Sequence, residues 1–564
     1  MIPARDDPAF NLLQAYDCLA TVIFGESHRR NARILGVTHL DVDPICAVIG
    51  RTRHKMVQIE IQEAAKQGAG FIELRLDFLA KAPDFQRLLD KKPCPLLATV
   101  RRPQDGGRWS GTEEARQALL RQAIVSGFDW VDLETDVADS IRRFKDVKRI
   151  VSYHNMREVP ADLEKIYQRM CGQDADVVKI AVRAQHPKDN VRVLELMKRS
   201  PRPTVAFCMG DLGMPSRFLG AKFGAPFTYA AFNKERGIAP GLPSLAELRK
   251  LYFYDRINAE TKVFGVVGDP VAHSLSPLVH NLAFRHLGIN AVYLPFRVPR
   301  PELADSLKAF MKIPVQGYSV TIPHKEEVAE LARHKDESVI RAKAANTLIR
   351  SGDDFSSYNT DYQGVIDTLR TYLPTSFTNP EATPSKQIQT TLPGLSSLQS
   401  KVVLVLGAGG IGRAVAHALR SEGALVSVTN RTSERAGKLA EEVGGRHIEW
   451  QGRHSVLCDV VINCTSVGMH PDVDDTPLHP SFLKPGLVVF ETIYTPETTL
   501  LVKEARARGC HVITGVELFV RQAAQQFKLF TQRDAPVELM RKAVKRALSP
   551  IAIRDEDEDE GEDG

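Results

Sequence analysis

The N-terminal half of the chain carries the feature that most constrains its fold, a repeated alternation of strand-like and helix-like segments. From Pro44 onward, eight short, apolar, β-rich runs are spaced so that a helix fits after each one. This alternation is typical of a parallel sheet closed on itself, and it predicts a (β/α)8 TIM barrel. The runs are ICAVIG (45–50), GFIELRL (70–76), PLLATV (95–100), FDWVDLE (128–134), RIVSYH (149–154), DVVKIAV (176–182), TVAFCM (204–209) and FTYAAF (227–232).

A second region begins at KVFGVVGDP (262–270) and continues as βα units to about Leu373. Residues 374–399 are rich in Pro, Ser and Thr and have no hydrophobic period, which predicts a linker or a surface insertion. KVVLVLGAGGIGRAVAHAL (401–419) then opens a nucleotide-binding unit, and a helical stretch over 515–546 closes the folded region. The whole chain is therefore expected to be α/β.

The net charge of +5 is unevenly distributed. The last eleven residues, RDEDEDEGEDG, hold eight acids and one arginine, so the rest of the chain carries +12. No basic run with interleaved aromatic residues is present, so we expect anionic small-molecule substrates and a phosphorylated cofactor rather than nucleic acid. The acidic tail is expected to be solvated and disordered, with an interaction tail as the alternative.

Targeting and metal-binding signals are also missing from the sequence. No apolar run approaches the roughly 20 residues of a membrane helix, and MIPARDDPAF does not resemble a secretory signal. The N-terminal extension is neither clearly Arg/Ser-rich nor acid-free, so no plastid transit peptide is expected and we predict a cytoplasmic location. The eight cysteines lack CxxC or CxH spacing, which predicts no metal site and no disulfide framework.

The first candidate site centres on Lys179, which lies inside the apolar run DVVKIAV. A charged ammonium is costly in a dry strand, so the neutral, nucleophilic amine should become accessible and could form a Schiff base with a ketone. The alternative is a structural lysine that reaches solvent or pairs with an acid. Barrel enzymes place their chemistry at the carboxyl ends of the strands, and ionisable residues cluster there. They are Glu73, Arg75, Arg101, Asp132, Glu134, His154, Lys179 and, shortly after the seventh strand, Arg217.

Residues 44–250 resemble type I 3-dehydroquinate dehydratase through IELRLD, Arg101 ahead of DGG, SYH, VKIAV, SRFLG, FGAPFTYA and APG. The resemblance implies that Lys179 forms an imine with the substrate ketone. It implies that His154 is the general base and acid, a role that suits a side chain titrating near neutrality. It also implies that Glu73, Arg75, Arg101 and Arg217 hold the hydroxyl groups and the carboxylate of the substrate.

Three positions depart from the pattern of that family. Asp105 stands where Glu is usual, Asn155 where Asp commonly follows the histidine, and Leu242 where Gln usually follows APG. The loss of that amide removes an expected substrate contact. These changes affect the expected affinity more than the imine chemistry, because Lys179 and His154 are both present.

The second candidate site begins with GAGGIGRA (407–414), a glycine-rich turn between an apolar strand and a helix. Such turns let the backbone approach a pyrophosphate at a helix N-terminus, and they predict a Rossmann unit. The next strand ends in Asn430, Arg431 and Thr432, where an NAD site would carry an acid; an arginine there favours the 2′-phosphate of NADP, and an exposed loop residue is the alternative. The cofactor-binding residues expected in the turn are Gly407, Ala408, Gly409, Gly410 and Gly412.

Four segments upstream supply further polar residues. HSLSP (273–277) contains Ser274 and Ser276, VTIPHKE (320–326) contains Thr321 and Lys325, AANTL (344–348) contains Asn346, and YNTDYQG (358–364) contains Thr360 and Asp361. A lysine and an aspartate brought together could pass a proton to a carbonyl oxygen. Taken singly, each segment is equally compatible with a structural role, and the serines with helix capping.

In this order, the segments resemble shikimate dehydrogenase from about 262 to 546, apart from 374–399; the match includes CTSVGMHP (464–471), YTPETTLL (494–501) and GVELFVRQAAQQF (515–527). The resemblance implies that Lys325 and Asp361 are the catalytic pair. It implies that Ser274, Ser276, Thr321, Asn346 and Gln522 bind substrate, and that Asn430, Arg431 and Thr432 face the adenosine phosphate. It also implies that Thr465, Gly468, Met469 and Gly515 lie near the cofactor. Glu491 stands where Asp is usual, and Leu518 where Met is usual.

The expected organisation follows from these two resemblances. It comprises an N-terminal extension (1–43), a dehydratase barrel (44–255), a substrate-binding domain (256–373 with 515–546), a linker (374–399), a Rossmann NADP-binding domain (400–514) and an acidic tail (547–564).

We predict that the barrel dehydrates 3-dehydroquinate and that the second half reduces 3-dehydroshikimate to shikimate with NADPH. The alternatives are a quinate or quinate/shikimate dehydrogenase, a chain with one inactive half, and a non-catalytic regulator on the same folds. The regulator would lack at least one of Lys179, His154, Lys325 and Asp361, and all four are present. The sequence predicts no oligomeric state.

Overall fold

The computed structural model describes Leu40 and residues 42–233, 238–239, 241–373 and 398–549. The described residues divide into two compact units. One contains those up to Pro277 and Leu287–Val315, and the other contains Leu278–His286 and those from Gln316 to 549. Most of the predicted extension, linker and acidic tail, at 1–39, 374–397 and 550–564, lies outside the described residues.

Eight parallel strands form the barrel, each overlapping one of the eight predicted runs. The strand order is β7-β6-β5-β4-β3-β2-β1-β8, so β1 pairs with both β2 and β8 and the sheet curls round on itself. The predicted barrel is thereby confirmed. Its strands are β1 (Ile45–Ile49), β2 (Ile72–Arg75), β3 (Leu96–Thr99), β4 (Trp130–Glu134), β5 (Lys148–Asn155), β6 (Val177–Arg183), β7 (Thr204–Met209) and β8 (Thr228–Ala231).

The helices of the barrel alternate with the strands less regularly than the sequence predicts. After β4 the chain forms only the 3-10 helix Ala138–Ser140, and after β8 it forms the π-helical turn Glu247–Leu251. The other strands are followed by α1 (His54–Lys66), α2 (Phe85–Leu89), α3 (Glu113–Ser126), α4 (Leu163–Cys171), α5 (Asp189–Lys198) and α6 (Met214–Leu219).

Local sequence explains helix α3 well. Thr112 caps its N-terminus by accepting a hydrogen bond from the Ala115 amide, two acids occupy the first turn, and Gly127 ends the helix in a left-handed conformation.

Aromatic side chains fill the amino-terminal end of the barrel. The Phe71 ring lies 5.5 Å from Trp130 and 5.2 Å from Phe227, measured between ring centroids. Phe71 and Phe227 immediately precede β2 and β8, and Trp130 begins β4. A packed apolar plug at this end leaves the carboxyl ends of the strands for polar chemistry.

Beyond the barrel, β9 (Lys262–Gly268) and β10 (Ala291–Arg297) pair in parallel. Further along, β11 (Val315–Val320), β13 (Thr347–Ser351) and β14 (Asp354–Tyr358) pair antiparallel in that order, and β12 (His334–Lys335) pairs in parallel with β14. The helices here are α7 (Ser276–His286), α8 (Leu303–Phe310), α9 (Lys325–Leu331), α10 (Glu337–Ala342) and α11 (Thr360–Tyr372).

The region after the linker is a doubly wound parallel sheet. Its order is β17-β16-β15-β18-β19-β20, the Rossmann arrangement, with a topological switch point between β15 and β18. The predicted Rossmann unit is thereby confirmed. Its strands are β15 (Val402–Leu406), β16 (Leu425–Thr429), β17 (Arg446–His447), β18 (Val460–Asn463), β19 (Val488–Glu491) and β20 (His511–Ile513), and its helices are α12 (Gly410–Ser421), α13 (Ser433–Glu442) and α14 (Leu500–Ala507).

The stretch predicted as helical over 515–546 is two helices, α15 (Gly515–Thr531) and α16 (Val537–Leu548). Gln532 ends the first in a left-handed conformation, and Pro536 precedes the second. Helix α16 therefore continues into the segment assigned from sequence to the tail. Within the described ranges, no helix combines the length and apolar character that a membrane crossing needs.

Candidate active sites

A cavity of about 90 Å³ lies among the barrel strands at the end opposite the aromatic plug. Apolar residues, including Met156, Phe207 and Leu242, form part of its wall. All six residues predicted for the dehydratase site line it: Glu73, Arg75, Arg101, His154, Lys179 and Arg217. The barrel therefore brings the whole predicted set to one small cavity.

Lys179 is buried on β6 but is not isolated. Its Nζ donates to Asp132 Oδ2 at 3.0 Å and lies 4.1 Å from the centre of the Tyr229 ring. Arg101 Nη2 contacts the same Asp132 oxygen at 2.7 Å. Burial alone would raise the pKa of Asp132, but Arg101 and Lys179 outweigh it and hold that pKa far below its usual range. The pairing with an acid, an alternative left open by the sequence, is what the structure contains.

An ion pair at this position is compatible with imine chemistry. A protonated imine keeps a positive charge on the lysine nitrogen, and Asp132 already lies where it can stabilise that charge. Asp132 is thus placed to stabilise the resting ammonium and the iminium alike.

His154 faces the same cavity from β5. Desolvation, followed by the positive charges of Arg101 and Lys179, lowers its pKa well below 6.5. Its Nδ1 atom is buried and has no hydrogen-bond partner in the described part of the chain. The neutral imidazole therefore has an unoccupied ring nitrogen and can accept a proton near neutral pH.

The arginines of the cavity differ in how their charge is balanced. Arg75 makes two hydrogen bonds to Asp77, and Arg101 pairs with Asp132 and Glu134. Arg217, on α6, has no ion-pair partner among the described residues; its guanidinium stacks 4.1 Å from the centre of the Phe207 ring, and burial lowers its pKa to about 10. An unpaired buried guanidinium in a cavity favours an anionic ligand.

Two of the sequence departures have clear structural consequences. The Asn155 side-chain oxygen accepts hydrogen bonds from the Arg157 and Glu158 amides, so it holds the turn after β5 as an aspartate would. Asp105 pairs with Arg102 at 2.6 Å.

Leu242 is nine-tenths buried and packs in the apolar barrel cluster with Met156. Of the three departures, this one makes the cavity wall less polar.

In the other unit, Lys325 and Asp361 lie together. Lys325 is the first residue of α9, and its Nζ donates to Asp361 Oδ2 at 2.6 Å. Asp361 lies in the first turn of α11, whose N-terminus is capped by Asn359, and its side chain is almost fully buried. Two charged groups held this close in a partly buried setting can pass a proton between them.

Asn346 occupies a rigid position beside this pair. Its Oδ1 accepts from the Thr360 amide at 2.8 Å, and its Nδ2 donates to Thr360 Oγ1 at 2.9 Å. Thr321 directly follows β11, and Gln522 donates back to the Phe519 carbonyl within α15. Ser274 Oγ accepts from the Ser276 amide at 3.3 Å, which is a capping contact at the start of α7.

The glycine-rich turn after β15 has the backbone geometry of a phosphate cradle. Gly407 has φ +108°, and a Cβ on Gly412 would lie 2.1 Å from the Gly407 carbonyl oxygen, so a side chain fits at neither position. A Cβ on Gly409 would meet nothing within 4 Å, which leaves open space at the N-terminus of α12. These features fit a dinucleotide pyrophosphate.

The end of β16, which is predicted to bind the adenosine phosphate, lies next to this turn. Asn430 Oδ1 accepts from the Ala408 amide at 3.3 Å, and Asn430 Nδ2 donates to the Thr432 carbonyl. Arg431 and Thr432 are exposed. The structure therefore offers an accessible guanidinium beside the glycine-rich turn, as an NADP site requires.

The remaining predicted cofactor residues follow β18 or begin α15. Thr465 donates from its amide and its hydroxyl to Asn463 Oδ1 at 3.0 and 2.7 Å. Gly468 has φ +95°, and Met469 is 40% exposed. Gly515 packs so closely on the Ile493 carbonyl that a Cβ would lie 2.2 Å away.

Neither Asp132 nor Asn463 is among the site residues that the sequence predicts. Asp132 lies among the ionisable residues of the barrel strands, but its contact with Lys179 depends on strand pairing. Strand β5 lies between β4 and β6, and Ile150, the partner of Asp132, pairs with Val177, two residues before Lys179. Asn463 comes from a similar cross-strand pairing with Glu491. An acid or amide at the end of a buried parallel strand is the signal that could have found both.

Four family models match successive parts of the chain. The type I 3-dehydroquinase family matches residues 45–259, and the shikimate dehydrogenase substrate binding domain matches residues 266–348. The shikimate / quinate 5-dehydrogenase family matches residues 389–470, and the shikimate 5'-dehydrogenase C-terminal domain matches residues 515–545.

Some relatives align with most of the chain, and others align with about half of it. The bifunctional 3-dehydroquinate dehydratase/shikimate dehydrogenase, chloroplastic, of Arabidopsis thaliana is 38% identical, with 88% of this chain and 83% of that protein covered. The shikimate biosynthesis protein AroDE of Chlamydia pneumoniae is 29% identical over 81% of this chain and 89% of that protein. The shikimate dehydrogenase (NADP(+)) of Pyrococcus furiosus is 36% identical over 51% of this chain and 96% of that protein.

The fold and the two sites define a two-enzyme fusion, with a lyase built on a TIM barrel and an NADP-dependent oxidoreductase that contains a Rossmann domain. More particularly, the chain belongs to the family of bifunctional 3-dehydroquinate dehydratase/shikimate dehydrogenases of the shikimate pathway.

Proposed function

We propose that Lys179, His154 and Arg217 carry the dehydratase reaction. Arg217 binds the carboxylate of 3-dehydroquinate, and the Lys179 ammonium gives one proton to His154, so that the resulting amine attacks the ketone. His154 returns that proton to the hydroxyl of the adduct, which leaves as water, and an iminium remains beside Asp132. The His154 imidazole then takes the proton from the carbon next to the imine, and the same group returns a proton to the departing hydroxyl, which leaves as water. Hydrolysis of the imine frees 3-dehydroshikimate. The buried Arg217, which has no ion-pair partner among the described residues and lines the same cavity as the Lys179–Asp132 pair, is the observation that carries this assignment.

In the reductase half, Lys325 and Asp361 are proposed to supply the proton. NADPH, when bound, supplies hydride. The Lys325–Asp361 pair protonates the ketone oxygen of 3-dehydroshikimate as its carbon is reduced, giving shikimate. Gln522, Thr321 and Asn346, which Thr360 fixes, are proposed to contact the substrate beside this pair. The predicted substrate contacts of Ser274 and Ser276 stay predictions. The 2.6 Å contact between Lys325 and Asp361 supports this assignment.

The glycine-rich turn of Gly407, Ala408, Gly409, Gly410 and Gly412 is proposed to hold the pyrophosphate, and Asn430, Arg431 and Thr432 the 2′-phosphate. Thr465, Gly468, Met469 and Gly515 line the path of the nicotinamide. The exposed Arg431 favours NADPH over NAD. Comparing shikimate and quinate turnover with both cofactors tests this choice and decides between a shikimate and a quinate dehydrogenase. The cytoplasmic location remains a prediction that subcellular fractionation tests.

Two full-length variants test both halves at once. Lys179→Met should abolish turnover of 3-dehydroquinate and leave reduction of 3-dehydroshikimate unchanged. Asp361→Asn should lower reduction at least about 100-fold, the loss expected for a proton-transfer group, and should accumulate 3-dehydroshikimate from 3-dehydroquinate. Full dehydratase activity in the first variant, or full reductase activity in the second, would contradict the corresponding assignment.

A further inference from the structure

Glu491, at the carboxyl end of β19, is fully buried and makes no ion pair within the described part of the chain. Its carboxylate is instead surrounded by hydrogen-bond donors. Asn463 Nδ2 donates to both oxygens at 3.0 and 3.1 Å, the Ile493 amide donates to Oε1 at 3.0 Å, and Thr499 Oγ1 donates to Oε2 at 3.0 Å. A buried carboxylate with this many donors organises the groups around it.

The first of these groups, Asn463, ends the neighbouring strand and has a fixed amide orientation. Its NH2 group must face the Glu491 carboxylate, and its oxygen must face the Thr465 backbone N–H, which can only donate. Thr465 Oγ1 donates to the same oxygen and accepts from the Val467 amide at 3.1 Å. The carboxylate thus sets, through one amide, the conformation of the turn after β18.

That turn is the surface behind the glycine-rich turn. A Cβ on Gly407 would lie 2.8 Å from the Cys464 carbonyl oxygen and 3.2 Å from Thr465 Cγ2. The Ile493 amide donates to the other side of the carboxylate, and this bond fixes the backbone at Ile493. Gly515, the first residue of α15, packs on the Ile493 carbonyl. Helix α15 carries Leu518 and Gln522.

We propose that Glu491 is a positioning residue for the reductase, which holds the turn 464–469 and the start of α15 in the geometry that binds NADP, acting through the orientation of the Asn463 amide. This proposal rests on the proposed function of that turn. It assigns a role to the longer acid that stands where aspartate is usual.

Each group in the network is either a donor or an acceptor. Exchanging the acid and the amide between positions 491 and 463 therefore tests the proposal. In Glu491→Gln, an NH2 group replaces one of the two oxygens that accept from Asn463 Nδ2, so one of these two contacts becomes a contact between two donors and weakens the hold on the Asn463 amide. In the double variant Glu491→Gln/Asn463→Asp, the carboxylate moves to position 463, where its two oxygens can accept from the new side-chain amide at position 491 and from Thr465. The donor–acceptor match between positions 463, 465 and 491 is then restored with side chains of the same shape.

Three measurements on the full chain are informative. NADP⁺ affinity is measured by titration calorimetry, the KM for NADPH and kcat by turnover of 3-dehydroshikimate, and amide hydrogen exchange on peptides covering 464–469. For Glu491→Gln we expect affinity about tenfold weaker, a KM about tenfold higher, a smaller change in kcat and faster exchange in the turn. The double variant should recover most of each effect.

Asp459→Asn is the matched control, because Asp459 accepts from the Val402 amide at the opposite end of the same sheet. It should change none of the three measurements, and dehydratase activity should be unchanged in every variant. Should Glu491→Gln not fold, the double variant decides: affinity near that of the wild type supports the proposal, and a tenfold loss contradicts it.

Unchanged NADP⁺ affinity and exchange in a folded Glu491→Gln protein would overturn the positioning role. So would a double variant no better than the single one. If instead the wild type failed to reduce 3-dehydroshikimate with NADPH, the proposed function itself would be at fault, so the two failures are distinguishable.

Discussion

At the scale of single residues, the barrel site depends on how its cations are balanced. Arg75 and Arg101 are neutralised by acids within the barrel, Lys179 by Asp132, and Arg217 by no described side chain. A positive charge that the protein leaves unpaired in a buried site costs stability unless a ligand compensates for it. The charge of Arg217 therefore favours substrate binding but lowers the stability of the ligand-free protein.

Arg217→Met should weaken binding of 3-dehydroquinate much more than it slows the chemistry. Losing a charge-assisted contact to a carboxylate costs about 1.5–3 kcal/mol, so we expect KM to rise roughly 10- to 100-fold. Arg143→Met is the control, because Arg143 pairs with Asp174 on the barrel surface. Steady-state kinetics of dehydration checks this, and an unchanged KM for Arg217→Met would remove Arg217 from the site.

His154 should govern the acid side of the dehydratase pH profile. Its pKa is lowered well below 6.5, so the neutral imidazole, the form that accepts a proton, persists as pH falls through 6.5. We expect kcat/KM for 3-dehydroquinate to stay level from pH 7.5 to about 6 and to decline only in more acidic solution. An acid limb with its midpoint at 6.5 or higher would show that His154 is not the base, or is not desolvated.

At the scale of elements, the sequence anticipates strands better than contacts. Buried parallel strands are continuous apolar runs, which is why all eight barrel strands and β15 could be predicted. The cross-strand groupings of Asp132 with Lys179 and of Asn463 with Glu491 could not, because they depend on register between segments distant in sequence. The break at Gln532 was also missed, because a single left-handed residue interrupts an otherwise helical pattern.

The packing of α7 on α15 should make stability sensitive to acid. His280 on α7 is fully buried, its ring stacks 6.2 Å from the Phe527 ring on α15, and burial lowers its pKa to about 3. A depressed histidine pKa contributes stability that is present above the unfolded value of about 6.5 and is lost as pH falls towards 3. Each pH unit below 6.5 should cost about 1.4 kcal/mol from this residue.

Urea unfolding of the wild type and of His280→Gln at pH 7 and pH 5 measures this effect. The loss of unfolding free energy between the two pH values should be about 2 kcal/mol smaller in the variant, whatever its stability at pH 7. Equal losses in the two proteins would mean that His280 titrates normally.

At the scale of the whole molecule, the two activities use separate residues of one chain. The fusion keeps the two active sites covalently linked, so they cannot diffuse apart. Wild-type protein supplied with 3-dehydroquinate and NADPH should show a shorter lag before NADPH oxidation than an equimolar mixture of Lys179→Met and Asp361→Asn. The mixture contains one active copy of each site on different chains. Identical lags, after matching the concentrations of active sites, would rule out direct transfer of the intermediate.

The claim on which the barrel account depends is a covalent bond between one buried amine and the substrate. Borohydride reduction during turnover of 3-dehydroquinate, followed by mass mapping of the peptides, tests it most directly. The account predicts one reduced adduct, located on Lys179. An adduct on another residue, or no adduct in a protein that turns over, would contradict it.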